Sequence, residues 1–392
     1  MQRFLSVIVL LLSTMQVFAQ EPTLSDKAEI SIITCGPDPN ELYSAFGHSA
    51  VRVIDPVTGI DYAFNYGVFD FDQPNFYLNF ARGRNYYLLA VYNYIDFERA
   101  YKRDGRFIHE QVLQLTPTQR DKIYSFLLWN AQPENRTYRY DYYHDNCATR
   151  IRDILVNQLA GDLKIDSTSF SAEHSFRQKT DEYLGPLPWG DLGIDICLGL
   201  PIDRTMHANE YMFLPDYLES FTDRTQVKSD SGWVALVKEK RIIAAATVEP
   251  WNSLVHPWLA FFLLLMIIIS ISFFDWKRKK LSRWFDVTLF GLTGLIGLLL
   301  FALWLFTDHH DAARNFNLLW AFPLHLFASL MLFSKRSKNL LSKYFLFCLV
   351  ILALTLVFWW ALPQELNVYL ISVAAGLAIR CLLNWRLLPQ IH

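Results

Sequence analysis

Five apolar runs near the carboxyl end constrain the architecture of this chain more than any other feature. They are His256 to Phe274, Phe285 to Phe306, Leu318 to Phe333, Tyr344 to Leu362 and Leu366 to Leu383. Each is close to the ~20 residues that a bilayer-crossing helix needs. The third is short at its core and can begin as early as Asn315. Lys277-Arg278-Lys279-Lys280 separates the first two runs, and Lys335-Arg336 with Lys338 and Lys343 separates the third from the fourth. Such clusters belong on the cytoplasmic side. The connections 307–317 and 363–365 carry a single Arg between them, Arg314. A five-span helical membrane domain over residues 251–392 follows, with everything before it outside and the carboxyl terminus inside. Its membrane is the inner one, because outer-membrane proteins cross as closed barrels.

The amino terminus gives the same orientation independently. Met1-Gln2-Arg3, the apolar run Phe4 to Leu12 and Val17-Phe18-Ala19 read as a cleaved signal peptide over residues 1–19, with an uncleaved anchor as the alternative. Residues 20–250 are mixed polar and apolar, long enough for one exported domain with its own core. The formal charge of -2 gives no electrostatic case for nucleic acid as a partner. Of five cysteines, Cys348 and Cys381 fall in the apolar runs and read as small apolar residues. Cys35, Cys147 and Cys197 form an odd set in an oxidising compartment. Either Cys35 pairs with Cys197 and leaves Cys147 free, or all three stay reduced.

The exported domain reads as α+β. Glu29 to Thr34 is an expected strand, and Ser49 to Asp55 a second with clear alternation. Pro56 to Gly59 forms a turn, and Ile60 to Tyr66 returns as the partner strand. Depending on register, that hairpin brings Asn65 or Tyr66 level with His48. Phe76 to Tyr87 is aromatic-rich and broken by Gly83, and Ile108 to Leu115 is a further strand. A helix follows from Pro117 through Trp129, with Thr116 as its cap. Tyr138 to Tyr143 reads as a tyrosine-dense strand delivering the chain to Asp145. From Ala148 the positions Ile151, Leu155 and Leu159 follow helical spacing, capped by Asp145 or Asn146.

Cys147 therefore stands at a helix amino terminus, where unpaired amides and the helix dipole favour thiolate. Gly47-His48-Ser49 opens a separate strand, and a histidine so placed can take the thiol proton. A buried small hydrophobe and a structural histidine would be the bland account. The polar Asp145-Asn146 before the thiol and the Gly before the His favour catalysis. His144 is a second candidate base, or a contact for an acyl donor. Asp308-His309-His310-Asp311, on the outer side of the membrane domain, could position substrate or bind a headgroup or metal; a hydrated loop accounts for the same residues. No Cys-x-x-Cys or His-Glu-x-x-His supports zinc, so no metal or cofactor is expected.

Phe46 to Val53, Asn65 to Phe71, Asp145 to Asp153, Leu192-Gly193-Ile194 and Phe213 to Leu218 resemble the exported domain of the Lnb-type lipoprotein N-acyltransferases of Bacteroidota. Asp308 to His310 and Asn317 to Trp320 with Pro323 resemble that family's membrane part. The His-then-Cys order is also similar to circularly permuted papain-like (NlpC/P60-related) thiol enzymes. The resemblance implies catalysis by Cys147 and His48 with Asn65 orienting the imidazole, and substrate contacts from Asn146, His144, Asp308, His309 and His310. The acyl donor would be a membrane phospholipid and the acceptor the amino-terminal Cys of a diacylated lipoprotein. A papain-like cell-wall peptidase or amidase, a thiol phospholipase, and a non-enzymatic sensor are the competing readings.

Overall fold

The computed structural model describes residues 23–166, 173–249, 255–334 and 337–390; the expected signal peptide lies outside them. Seven strands form an antiparallel sheet: β1 (Glu29–Cys35), β2 (His48–Asp55), β3 (Ile60–Val68), β4 (Tyr86–Asn93), β5 (Ile108–Leu113), β6 (Thr137–Arg139) and β10 (Val237–Ala244). Their order across the sheet is β10-β5-β1-β2-β3-β4-β6. A separate three-stranded sheet joins β7 (Leu163–Lys164), β8 (Gln226–Ser229) and β9 (Gly232–Ala235).

Strand alternation sorts the side chains into two cores. Ile30 and Ile32 of β1, Val51 and Val53 of β2, and Phe64 and Tyr66 of β3 face one side. They pack on the helices Pro117–Asn130 and Cys147–Gln158 through Ile123, Leu127, Ile151 and Leu155. Each such side chain contributes about 1.5–3 kcal/mol when fully buried. Ile33, Cys35, Ala50 and Ala63 face the other side, under Tyr94 and Phe97 of the helix Tyr94–Arg103.

The helix Pro117–Asn130 starts where expected, with Thr116 and Gln119 closing a capping box. The tyrosine run departs from expectation, because only Thr137–Arg139 pairs as strand. Asp141 Oδ1 accepts the amides of Tyr143 and His144, and a bridge joins Asp141 to Asp145. That aspartate folds the chain into a turn at the point where the strand would have continued.

Among the described residues four helices are long and apolar enough to cross a membrane: Pro257–Arg278, Arg283–Phe306, Lys338–Val357 and one starting at Leu370 and running to Gln390 with its last 3₁₀ turn. The third apolar run differs from the single helix expected. It holds a 3₁₀ turn, Phe316–Leu319, and an eight-residue helix, Leu324–Met331. Pro323 supplies no amide to bridge the two pieces. Close packing replaces the lost helical bonds: a Cβ on Gly297 of the helix Arg283–Phe306 would run into the Ala321 carbonyl. Buried Arg380 ties three of the long helices together, pairing with Asp286 at 2.7 Å and Asp275 at 2.9 Å.

The exported and membrane parts meet through polar groups around the helix Pro188–Cys197. Its last carbonyls have no intrahelical partners. Asn315 Nδ2 donates to Ile196 O at 2.8 Å, and Asn317 Nδ2 donates to Asp195 O at 2.9 Å. Gln364 Nε2 donates to Leu198 O at 3.0 Å, and Gly199 N to Asp311 O at 2.7 Å. Leu192 of the same helix is buried in the membrane domain's core, while Ile194 packs on the exported one.

Candidate active site

Cys147 is the first residue of its helix, aimed by the residue before it. Asn146 Oδ1 accepts the Thr149 amide at 2.9 Å, and Thr149 Oγ1 accepts the Asn146 amide at 2.7 Å. The Asn146 amide group is spent on the Tyr142 and Phe213 carbonyls, both at 2.8 Å. Asn146 is thus a buried cap that fixes where the thiol points.

His48 opens β2 directly after Gly47, which holds φ +79° and where a Cβ would stand 2.8 Å from the Cys35 carbonyl oxygen. Any other residue there is strained and crowded, so the glycine sets the angle at which the imidazole leaves the sheet. The register Val51↔Phe64 places Asn65 on the His48 face of the sheet and Tyr66 on the opposite one. Asn65 Oδ1 lies 2.5 Å from His48 Nε2, while the Tyr66 hydroxyl donates to Asn130 Oδ1 at 2.6 Å. His48 also stacks on Tyr101, with centroids 6.1 Å apart.

Burial pushes the Cys147 thiol up, but the charge and hydrogen bond of His48 and the amides of Ser49 and Ala148 outweigh it. The net effect holds Cys147 below its ordinary value. Burial pushes His48 down, but the Cys147 charge and the bonds to Cys147 and Asn65 outweigh it, so His48 is raised. The two shifts favour a thiolate–imidazolium pair. All five cysteines are free, so Cys35 and Cys197 are not paired. Burial pushes the Cys35 thiol far up, leaving it neutral.

The thiol opens into a cavity of about 1200 Å³ walled by both domains. His48, Asn65, Asn146 and Cys147 line it on one side, and Asp308, His309 and His310 on another. The membrane loop is held there by Asp308, which pairs with Arg84 at 3.0 Å and Arg139 at 3.2 Å, and by His309 Nε2, 3.1 Å from the Phe80 carbonyl. Gly193, Ile194, Phe213 and Pro215, from segments singled out in the sequence, also face the cavity. His144 does not line it. Its exposed ring packs on Phe176, 5.4 Å between centroids. Tyr101, Arg106 and Trp189 line the cavity without having been picked out. Each sits in a segment whose local pattern carries no catalytic signature, and only the tertiary fold brings them in.

Among the described residues two groupings hold three potential ligand atoms within 4.8 Å of one another, Asp141 with His144 and Asp311, and Asp181 with Asp191 and Asp195. In the second, burial and the charges of Asp195 and Asp191 push Asp181 up to about 9, and burial with Asp195 pushes Asp191 up to about 6. Asp181 therefore keeps its proton at neutral pH and shares it with Asp191. A carboxyl raised on folding stabilises the fold fully below its unfolded value of about 4, and that contribution is lost as pH rises towards 9. Asp181→Asn, which keeps a donor towards Asp191, is expected to flatten stability across this range. It should also raise stability at pH 8 by about 1 kcal/mol or more. Thermal unfolding of the full-length protein at pH 5 and pH 8 tests this; a loss at both would contradict it.

No curated protein and no solved structure matches the chain. Two family models do: the Lnb N-terminal periplasmic domain matches residues 19–181, and the Lnb transmembrane domain matches residues 249–390. With the two domains in this order and together spanning most of the sequence, the chain belongs to the Lnb family and joins its periplasmic domain to its multi-pass membrane domain.

Proposed function

We propose that this protein is a lipoprotein N-acyltransferase of the inner membrane working through a Cys147 thioester. The observation that carries the reading is the shared cavity: a paired thiol and imidazole face a membrane-domain loop across one chamber. In the first step the Cys147 thiolate attacks an ester carbonyl of a membrane phospholipid. The ester C–O bond breaks, and His48 gives its proton to the departing lysolipid oxygen. In the second step the free α-amine of a diacylated lipoprotein's Cys attacks the thioester. His48 takes the amine proton, the C–S bond breaks, and an N-acyl amide leaves with the thiolate restored. Atoms balance without a soluble cofactor.

Further features support lipid substrates. Phe71, Tyr77, Leu78 and Phe80 expose their side chains on the segment that meets the Asp308 loop. Aromatic and apolar groups at that level suit the headgroup region of a bilayer. Both lipid-anchored reactants would be confined beside one site, which raises their effective concentration.

A five-crossing topology fits the same picture, with residues 1–19 as signal peptide, 20–250 periplasmic and 251–392 in the membrane. The connections at 307–317 and 363–367 both touch the periplasmic domain, Glu365 N donating to Asp203 Oδ1 at 2.8 Å. Ser342 and Trp385 meet at the opposite end, beside the Lys/Arg clusters. Passing from one end to the other between residues 317 and 338 needs the broken third segment to cross. The order of His48 strand, Asn65 strand and Cys147 helix suits a circularly permuted papain-like domain.

The purified full-length protein in phospholipid vesicles should yield an acylated Cys147 peptide by mass spectrometry, and that acyl group should vanish when a diacylated lipopeptide is added. Discharge to water at the same rate without the lipopeptide would mark a phospholipase instead. Asn65→Ala, which frees the imidazole to rotate, is expected to slow acyl transfer by about 10²-fold with little change in KM. Steady-state kinetics on the lipopeptide measures it; an unchanged kcat would remove Asn65 from the site.

A further inference from the structure

We propose that Arg106 is an anion-binding residue of the catalytic cavity and takes the phosphodiester of a glycerophospholipid acyl donor. The inference rests on the acyl-transfer reading above and adds what recognises the donor.

Arg106 lies in the loop between the helix Tyr94–Arg103 and β5, and the residue is only 7% exposed. Its backbone is pinned, the amide donating to Tyr101 O at 3.1 Å. Nε donates to Gly36 O at 2.6 Å, and the guanidinium lies over the Tyr101 ring, 4.6 Å from its centroid. Nη2 is buried with no hydrogen-bond partner among the described residues. No carboxylate pairs with the group among those residues either. The buried arginines Arg177 and Arg380 behave differently, each held by two aspartates. Arg120, also without a carboxylate, is tied to the carbonyls of Asp26 and Ala28 and does not line this cavity.

A guanidinium taken out of water is strongly disfavoured unless an anion and full hydrogen bonding compensate it. Among the described residues its neighbours supply no carboxylate, and the Cys147 thiolate in the same cavity is matched by His48. Burial keeps both the Cys35 thiol and the Tyr101 phenol neutral. Tyr101 is stacked on His48 and also lies under the Arg106 guanidinium, so the cation shares an aromatic neighbour with the imidazole. A planar fork of donors matches two phosphate oxygens. In a glycerophospholipid the scissile ester and the phosphate are separated only by the glycerol carbons. A phosphate on Arg106 would therefore hold an ester carbonyl within the chamber that Cys147 opens into.

The test compares two donors on the full-length protein in vesicles, phosphatidylethanolamine and the phosphate-free diacylglycerol, reading acylation of Cys147. Wild type should prefer the phospholipid. Arg106→Gln should lower kcat/KM for the phospholipid by about 10–100-fold more than for diacylglycerol, with Arg106→Lys recovering part of the preference. Equal losses on both donors, or no loss on either, would overturn the proposal, since a packing role cannot tell the donors apart. Millimolar inorganic phosphate forms a second arm: failure to compete supports a lipid phosphodiester, whereas loss of the donor preference in wild type would assign the site to free phosphate. If wild type acylates Cys147 from neither donor, the acyl-transfer reading itself falls.

Discussion

Cells whose only copy carries Cys147→Ser are expected to accumulate diacylated lipoproteins, as cells lacking the protein would. Serine keeps the shape of the side chain and leaves the Asn146–Thr149 cap intact, so the helix and the cavity persist. What it removes is the group whose ionisation the site favours. Burial alone would push the Cys147 thiol up, and His48 with the amides of Ser49 and Ala148 reverses that. The same surroundings cannot ionise a hydroxyl to a comparable degree near neutral pH. Removing a covalent nucleophile costs at least about 10³-fold in kcat, with the binding contacts untouched. Mass spectrometry of a native lipoprotein's amino-terminal peptide reads the outcome directly. A triacylated product in the serine strain, with no second enzyme present, would refute the thiol mechanism and bring the cell-wall hydrolase forward.

His48→Ala should be nearly as damaging, and its pH signature separates it from a folding defect. In the wild type the Cys147 titration is lowered and the His48 titration raised, so the reactive pair exists between them. Activity should climb as Cys147 loses its proton and fall as His48 loses its own, giving a bell. Without the imidazole, burial becomes the dominant influence on the thiol, and its pKa moves upward. The acid limb then shifts to higher pH and the limb belonging to His48 disappears. Acyl transfer near neutrality is expected to drop by about 10²–10⁴-fold, and alkylation of Cys147 by iodoacetamide to slow with it. An unaltered alkylation profile would show that His48 does not govern the thiol.

The proposed nucleophile and base are readable from local sequence because each sits at a punctuated position. Cys147 follows a helix cap and His48 follows a glycine at a strand start, whereas the hairpin alone left Asn65 and Tyr66 both open and the register Val51↔Phe64 decides for Asn65. The helix cap at Thr116 and the apolar face of β2 were visible for the same reason. Asp141 overrode the tyrosine run, because one side-chain oxygen competing for two amides outweighs strand propensity. Strand Tyr86–Asn93 was lost in an aromatic stretch whose outer face stays exposed and so shows no clean alternation. The third apolar run has the composition of a span, but Pro323 and the approach to Gly297 decide its shape, and the latter is a tertiary fact. Arg106 is invisible for the same reason: nothing beside it in sequence says that no acid will meet it in space.

The helix Pro188–Cys197 falls between the two stretches matched by family models, yet its terminal carbonyls are held by Asn315, Asn317 and Gln364 of the membrane domain. A secreted fragment cut near residue 250 would retain thiol, imidazole and amide in one piece. It would also carry a frayed helix end, a bare Leu192 and a reaction chamber missing the wall that Asp308 to Asp311 supply. Such a truncation is the natural first choice for inhibitor screening, and it would offer compounds a pocket that the intact enzyme never shows. Ligands worth finding should be sought on the whole polypeptide in lipid.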